Sequence, residues 1–166
     1  MSDERPHDLG ALEAALHIDM YQQPGHLIRR AQQVHTYLWS SAVSTEVTST
    51  QFAVLSAIAE RSAIDQNSIS RRVSLDTSTV ADVVNRLVAR GYVARTKDTA
   101  DRRRNLLSLT PSGREIFIEV SRTAAAMTDR MVEILPEQDR KELVRILQNL
   151  VEAGESMREA MEGDAS

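Results

Sequence analysis

Hydrophobic residues recur every three or four positions along most of this chain, which is the spacing of an amphipathic helix. Pro24 suits the first position of a helix that we expect to extend to about Val43. Its apolar stripe consists of Leu27, Ala31, Val34 and Leu38. A second helix is predicted at residues 51–61, with an inward side formed by Phe52, Leu55, Ile58 and Ala59. Residues before Pro24 predict little order apart from a short helix over Leu9–Met20.

Two capped helices separated by the turn "SLD" follow in the middle of the chain. Asp65 is the expected N-cap of a short helix over residues 66–73, and Asp76 is that of a longer helix over residues 77–90. The longer helix has one apolar stripe, formed by Val80, Val83, Val84 and Leu87. Gly91 follows directly, in the position where a left-handed residue commonly ends a helix.

Strand-like segments at residues 92–96 and 105–109 come next, and residues 97–104 join them as the loop of a hairpin. Capped helices followed by a hairpin describe a winged helix-turn-helix. In such a unit the second helix can enter the major groove of DNA, where side chains of its N-terminal half reach base edges. The hairpin, or wing, lies beside it, and basic residues at its tip contact phosphate or enter the minor groove.

Two long amphipathic helices end the chain. Thr110 and Pro111 are the expected N-cap and first residue of one, and Pro136 begins the other. Their apolar residues are Ile116, Val120, Ala124, Met127 and Met131 in the first, and Leu143, Ile146, Leu147, Leu150, Met157 and Met161 in the second. These stripes exceed what one small winged helix can cover, which predicts that a second copy of the chain covers them. A self-contained monomeric helical cap is the alternative.

The expected fold class is therefore mainly α, a winged helix-turn-helix whose N- and C-terminal helices form a dimerisation domain. The predicted winged helix-turn-helix occupies residues 48–110, and the helical dimerisation region occupies residues 24–47 and 111–166. Residues 1–23 form a partly ordered N-terminal segment in this division.

Charge is distributed unevenly along the chain. The formal net charge is -4, yet residues 66–104 contain nine basic and four acidic residues. A basic block in an acidic chain is what a polyanion-binding surface requires. Three consecutive arginines in the wing loop fit this surface, because arriving phosphate would relieve their mutual repulsion, and we expect Asp98 and Asp101 to hold them in register. The alternative is a solvated surface loop.

The predicted DNA contacts lie in the short helix, in the longer helix and at the wing tip. They are Ser70 and Arg71 in the short helix, Thr77, Ser78, Thr79, Asp82, Asn85 and Arg86 in the longer helix, and Arg102, Arg103 and Arg104 at the wing tip.

Other classes of protein find little support in the sequence. The chain has no cysteine, and its four histidines lack the spacing of metal ligands, so we expect no disulfide, metal or cofactor. No catalytic or phosphate-loop motif occurs, which argues against an enzyme. No apolar run approaches a membrane span, and the start "MSDERPHDLG" is unlike a signal peptide, so we expect a cytoplasmic protein without membrane contact.

The segments "STVADVVNRLVARGYVAR" and "DRRRNLLSLTPSG", with their flanking helices, resemble the multiple-antibiotic-resistance regulator (MarR) family of dimeric bacterial transcription factors. The resemblance covers about Gly25 to Met161. It implies an obligate homodimer with interleaved terminal helices and one winged helix-turn-helix on each lobe. By position, Asp101 and Arg103 match the family's wing ion pair and groove-inserting arginine, and Ser78 and Thr79 match the start of its recognition helix.

One departure from the family concerns Asp82, which stands where relatives often carry Arg or another polar residue. A carboxylate there repels phosphate, but it could accept a hydrogen bond from a cytosine amino group. The operator therefore cannot be copied from relatives.

The first long helix carries candidate effector contacts. Ile28, His35 and Trp39 share a face that differs from the apolar stripe. The family resemblance implies an effector pocket between this helix and the winged lobe, with Phe52 opposite and with Arg29 and Arg30 one to two turns away. Core packing of Trp39 and a satisfied buried imidazole at His35 are the alternative.

The stretch "QQPGHLIRRAQQVHTYLW" resembles the first helix of family members that control aromatic-acid catabolism, including those that respond to hydroxycinnamoyl-CoA thioesters. Such an effector fits the residue types. Trp39 and Phe52 could sandwich a ring, and His35 could hydrogen-bond a phenol or carbonyl. Arg29 and Arg30 could bind the phosphates of a CoA tail.

The sequence thus predicts a MarR-type homodimeric repressor of a palindromic double-stranded DNA operator. We expect a small aromatic effector, either an aromatic acid or an acyl-CoA thioester, to release it. The alternative function is a ligand-independent DNA-binding or architectural protein.

Overall fold

The computed structural model describes residues 19–61, 63–99 and 101–164. The chain separates into two compact units, Met1–Leu38 and Trp39–Ser166. A 3-10 turn at Met20–Gln22 precedes helix α1, Pro24–Ala42, whose last residues belong to the second unit. The helix predicted over Leu9–Met20 lies almost entirely outside the described residues.

In the first unit, the predicted apolar stripe of α1 is largely exposed. Leu27 is 45% exposed and Val34 is 52% exposed. Near the start of the helix, the ring of Tyr21 meets His26 edge-on at 5.9 Å between centroids. The guanidinium carbon of Arg30 lies 5.6 Å from the centroid of the Tyr21 ring, within cation–π range.

The second unit contains the elements of the predicted winged helix-turn-helix and the two long helices. They are α2 (Ser49–Glu60), β1 (Ile64–Asp65), α3 (Gln66–Arg72), α4 (Thr77–Ala89), β2 (Val93–Lys97), β3 (Asn105–Leu109), α5 (Pro111–Val132) and α6 (Glu137–Asp164). The strands form one antiparallel sheet in the order β1-β3-β2, in which Leu107 lies opposite Ile64 on one side and Arg95 on the other. Strand β1 is absent from the sequence prediction, because two residues are too few to show the alternation of apolar and polar positions that indicates a strand.

Side-chain caps fix where the helices begin. Asp65, Asp76 and Thr110 each accept the backbone N–H group of the third residue after them, at 3.0, 2.8 and 3.0 Å. The three predicted N-caps are therefore confirmed. Thr48 and Gln51 form a reciprocal capping box at the start of α2, which explains why the polar side chain of Gln51 is accommodated at only 7% exposure.

Two glycines shape the junction between α4, β2 and α5. Gly91 has φ 75° and ends α4 as predicted. At Gly113, an added Cβ would lie 1.9 Å from the carbonyl oxygen of Tyr92. The first turn of α5 therefore packs directly on the backbone that leads into β2. The Thr110 hydroxyl adds a hydrogen bond by donating to the carbonyl oxygen of Gly91 at 2.6 Å.

The core of the second unit contains residues of the α1–α2 loop, α2, α3, α4 and β3. Its fully buried side chains are Val47, Val54, Leu55, Ile58, Ile69, Val80, Val84, Leu87 and Leu107. The inward positions predicted for Leu55 and Ile58 are confirmed, whereas that of Ala59 is wrong. Ala59 is exposed, because the packed face of α2 also includes Val54 and Ala57 and leaves Ala59 at its rim.

Helix α6 has no buried residue among those described. Its apolar side chains remain accessible, with Leu147 44%, Leu150 49% and Met157 67% exposed. Despite this apolar stripe, none of the helices in the described ranges combines the length and hydropathy of a membrane span.

Candidate nucleic-acid interface

The start of α4 is organised around the carboxylate of Asp76. It accepts the backbone N–H of Thr79 at 2.8 Å, the Thr79 hydroxyl at 2.5 Å and the Ser78 hydroxyl. The hydrogen bonds from the hydroxyls of Ser78 and Thr79, followed by that from the Thr79 backbone, hold the pKa of Asp76 well below its usual value. Since both hydroxyl hydrogens point to Asp76, the two oxygens are left to accept hydrogen bonds from other donors.

The outer face of α4 carries the remaining predicted contacts. Thr77, Ser78, Asp82, Asn85 and Arg86 are exposed, whereas Thr79 is half-buried. An exposed polar face of this kind is what a helix needs in order to enter the major groove.

Arg95 of β2 is a functional candidate that the sequence analysis did not select. Its guanidinium donates to the side-chain oxygen of Asn85 at 2.6 Å, which connects the exposed polar face of α4 to the wing. With its oxygen engaged, Asn85 presents its NH₂ group outward as a donor. The contact joins two elements, and no local pattern in the sequence reveals it.

The wing is anchored by an ion pair between Arg104 and Asp65 at 2.6 Å. Asp65 is 19% exposed, and it also caps α3. Burial alone would raise its pKa, but hydrogen bonds from the Ser68 hydroxyl and backbone and from Arg104, with the charge of Arg104, lower the pKa of Asp65 to about 2. Asp65 therefore stays ionised and holds the base of the wing against the helix-turn-helix.

The acidic residues of the wing loop form hydrogen bonds with the backbone of the arginines beside them. The Asp101 carboxylate accepts the backbone N–H of Arg103 at 3.0 Å, and the Asp101 carbonyl accepts that of Arg104 at 2.9 Å. Asp98 donates its backbone N–H to the Arg104 carbonyl at 3.1 Å. These backbone hydrogen bonds shape the loop, and the guanidinium of Arg104 pairs with the carboxylate of Asp65. Arg102 and Arg103 are exposed at the tip.

Ser70 departs from its prediction as a DNA contact. It is 8% exposed, and its hydroxyl donates to the carbonyl oxygen of Leu75. The backbone N–H of Leu75 returns a bond to the Ser70 carbonyl at 3.2 Å. Ser70 therefore closes the turn between α3 and α4. Its neighbour Arg71 is exposed and remains a DNA-contact candidate.

Three aromatic rings form a cluster in the second unit. Trp39 is 5% exposed, and its indole N–H donates to the carbonyl oxygen of Val47 at 2.7 Å. The Trp39 and Phe52 centroids are 5.2 Å apart, and Phe52 stacks on Phe117 at 5.5 Å. These separations are those of direct ring contact, so Trp39 and Phe52 cannot sandwich a ligand ring in this arrangement, contrary to the expectation. Phe117 was not selected from the sequence.

The other candidate ligand contacts belong to the first unit. Ile28 is 49% exposed, Arg29 and Arg30 are exposed, and His35 is half-buried.

A MarR family model matches residues 47–104 of this chain. The matched range extends from Val47, directly before the capping box of α2, to the last of the wing arginines. It therefore contains the whole helix-turn-helix and the wing loop.

Three known proteins are similar to the chain over most of their length. NicR, an HTH-type transcriptional repressor of Pseudomonas putida, is 28% identical over 139 residues, which cover 83% of this chain and 88% of NicR. The PcaV transcriptional regulator of Streptomyces coelicolor, in complex with its natural ligand, is 36% identical with a TM-score of 0.79, covering 82% of this chain and 97% of PcaV. CouR of Rhodococcus jostii RHA1, bound to p-coumaroyl-CoA, is 25% identical with a TM-score of 0.71, covering 81% of this chain and 95% of CouR.

Proposed function

Because this chain belongs to the MarR family of transcriptional regulators, we propose that it is a dimeric repressor released from its operator by a small aromatic effector. It is a regulator and not an enzyme. The observation that carries the proposal is the Asp65–Arg104 pair, which fixes an arginine-rich wing beside a capped helix with an exposed polar face. We also propose a cytoplasmic location, since the similar proteins are DNA-binding regulators.

On DNA, α4 is proposed to enter the major groove while the wing follows the backbone. Exposed residues at the start and middle of α4 would contact base edges, and the exposed Arg102 and Arg103 would contact phosphates or the minor groove. The hydroxyl oxygens of Ser78 and Thr79 suit the amino groups of adenine or cytosine, because their hydrogens are engaged by Asp76.

A second copy of the chain is the proposed cover for the apolar stripe of α6. Side chains such as Leu147, Leu150 and Val151 are 44–52% exposed, in a helix without a buried described residue. Contiguous apolar surface of this kind marks an interface, and a symmetric dimer would match a DNA site with two half-sites.

The proposed effector is an aromatic acid or an aryl-CoA thioester, by similarity to the ligand-bound PcaV and CouR. In this chain the aromatic ring is proposed to bind on the Trp39–Phe52 pair. Arg29 and Arg30 are proposed for the anionic part of the effector, His35 for a phenol or carbonyl, and Ile28 for apolar contact. These roles remain predictions.

Hydrogen bonds within the second unit connect this aromatic cluster to the end of α4. Trp39 donates to Val47, and the adjacent Glu46 accepts from the Tyr92 hydroxyl through its carboxylate and from Arg90 through its carbonyl. The hydrogen bond to Glu46 raises the pKa of Tyr92. Arg90 and Tyr92 flank Gly91 at the end of α4, so displacement of the loop before α2 would act on the recognition helix directly.

The test is to select an operator from random duplexes and follow its binding by fluorescence anisotropy. Aromatic acids and aryl-CoA thioesters are then added, and the expected result is dissociation that saturates with the effector. A thermal-shift measurement with the same compounds separates this function from a ligand-independent DNA binder, because a ligand of the folded state raises the melting temperature. Operator binding that no member of either class weakens would contradict the effector proposal.

A further inference from the structure

The side chain of Arg95 leaves β2 next to α4, the helix with the exposed polar face. Val93 lies two residues earlier, on the same side of the strand, and is buried in the core at 2% exposure. Arg95 is exposed, so its side chain begins where the core ends and extends along α4. None of the described acidic side chains forms an ion pair with it. The hydrogen bond to the Asn85 side chain, at 2.6 Å, therefore holds its guanidinium in place.

Asn85 lies on the face of α4 that carries the proposed base contacts. Ser78, Asp82 and Asn85 follow one another at intervals of four and three residues, which places them along one side of the helix. All three are exposed, whereas Val84 and Leu87 are buried on the core side. The Asn85 amide would therefore face a base edge in the same orientation of α4 that brings Ser78 to the DNA.

The bond from Arg95 decides which groups of the Asn85 amide can read a base. A free asparagine amide recognises adenine with two hydrogen bonds, because its oxygen accepts from the adenine amino group while its NH₂ donates to N7. Here the oxygen already accepts a charge-assisted bond from Arg95. The NH₂ group remains to donate, and guanine presents two acceptors and no donor at its major-groove edge. The amino group of adenine or cytosine would lose its water and gain no acceptor.

We infer that Arg95 is a positioning residue for sequence recognition, which makes Asn85 a donor that selects guanine and rejects adenine. Arg95 acts through Asn85 and needs no base contact of its own. The inference rests on the proposed function, since it requires α4 to enter the major groove.

Operator selection from random duplexes, carried out with the full chain and its variants, tests the inference. The position read by Asn85 is the one at which Asn85→Ala loses its base preference. At that position the wild type should prefer guanine over adenine by about fivefold or more. Arg95→Ala should prefer adenine there, because the released Asn85 oxygen can accept from the adenine amino group. A merely structural role of Arg95 would change the affinity for all sequences and would not exchange one preferred base for another.

Lys97→Ala is the matched control for the lost charge. Lys97 is exposed two residues further along the same side of β2, and its removal should weaken binding to all sequences and preserve the guanine preference.

Asn85→Asp tests the donor itself. The carboxylate can still accept from Arg95, but it has no NH₂ group, so the preference for guanine should disappear although the contact between α4 and β2 persists.

A measurement on the free chain tests the contact without DNA. The side-chain amide resonances of Asn85 should shift in Arg95→Ala and stay unchanged in Lys97→Ala, and unchanged resonances in both variants would overturn the inference.

The selection has two outcomes that would also overturn it. One is a guanine preference that persists in Arg95→Ala. The other is a loss of guanine without a gain of adenine, which would show that Arg95 contacts the base itself. In either case the proposed function stands, because an operator has been selected. A wild-type chain that selects no duplex would instead remove the proposed function, and this inference with it.

Discussion

The Asp65 carboxylate serves two elements at once. It accepts from the Ser68 backbone at 3.0 Å, where α3 begins, and from the Arg104 guanidinium at 2.6 Å, where the wing ends. The first role follows from a local sequence pattern, because an aspartate before a short amphipathic segment is a typical N-cap. The second joins residues that are 39 positions apart, and it depends on the pairing of β1 with β3.

Asp65→Ala should therefore lower the free energy of unfolding by about 1 kcal/mol near neutral pH, chiefly through the lost cap. The folded-state pKa of Asp65 is about 2, below the ordinary value of 3.8. A depressed pKa means that the ionised carboxylate stabilises the fold above about pH 4 and that this contribution is lost as the pH falls toward about 2. Urea unfolding at about pH 7 and about pH 2.5 should show the difference between variant and wild type shrinking.

Asp65→Asn is the control for this measurement. Its side-chain oxygen can still cap α3, but its stability no longer depends on pH through this position. A loss in Asp65→Ala that is equal at both pH values would contradict the role assigned to the charge.

Gly113 and Gly154 form a matched pair of helical glycines. Gly113→Ala would place a Cβ 1.9 Å from the Tyr92 carbonyl oxygen, which must shift the backbone and should cost about 1–3 kcal/mol of stability. Gly154 in α6 has no atom within 4 Å of the corresponding position, so Gly154→Ala should stabilise the chain by about 1 kcal/mol through helix propensity. Thermal or urea unfolding measures both. Equal effects of the two substitutions would exclude the close approach of α5 to Tyr92.

At the scale of elements, the capped helices and the wing could be predicted because their signals are local. The N-caps, Gly91 and the apolar stripe of α4 are all short-range patterns, and the structure confirms them. What depends on contacts between elements could not be predicted. Strand β1, the exposure of Ala59, the burial of Ser70 and the Arg95–Asn85 bond all arise from the way neighbouring elements pack against one another.

The wing and α4 are expected to make two different kinds of DNA contact. Arg103 is exposed and forms no ion pair with an acidic side chain in the described part of the chain, so Arg103→Ala should weaken binding to all sequences and lower the salt slope by about one unit. Substitution of Ser78 or Asn85 should instead change which bases are preferred. Anisotropy titrations at several salt concentrations measure both effects. An unchanged affinity and salt slope in Arg103→Ala would show that the wing does not contact DNA.

At the scale of the whole molecule, the exposed stripe of α6 predicts how the chain associates. Leu147→Lys places a charge in that stripe and should convert the proposed dimer to monomers, with operator affinity falling by about a hundredfold because the two half-sites are no longer bound together. Gln148→Lys makes the same charge change at the neighbouring polar position and should preserve the dimer. Sedimentation equilibrium distinguishes them. If wild type sediments as a monomer at micromolar concentration, the apolar stripe has some other function.

The symmetry of a dimer also constrains the DNA. In the proposed dimer a two-fold axis would relate the two copies of α4, so each would read the same bases on opposite strands, and the selected operator should be an inverted repeat. Its half-site centres should be about one helical turn, ~10 bp, apart, because both helices must enter the major groove on the same side of the duplex. Asp82 is exposed on α4, and its carboxylate can only accept a hydrogen bond, so we expect it to face a cytosine. Footprinting on the selected duplex measures the half-site spacing. Repeating the selection with Asp82→Asn should show a weaker base preference at this one position. Protection of a single asymmetric half-site would exclude the symmetric arrangement.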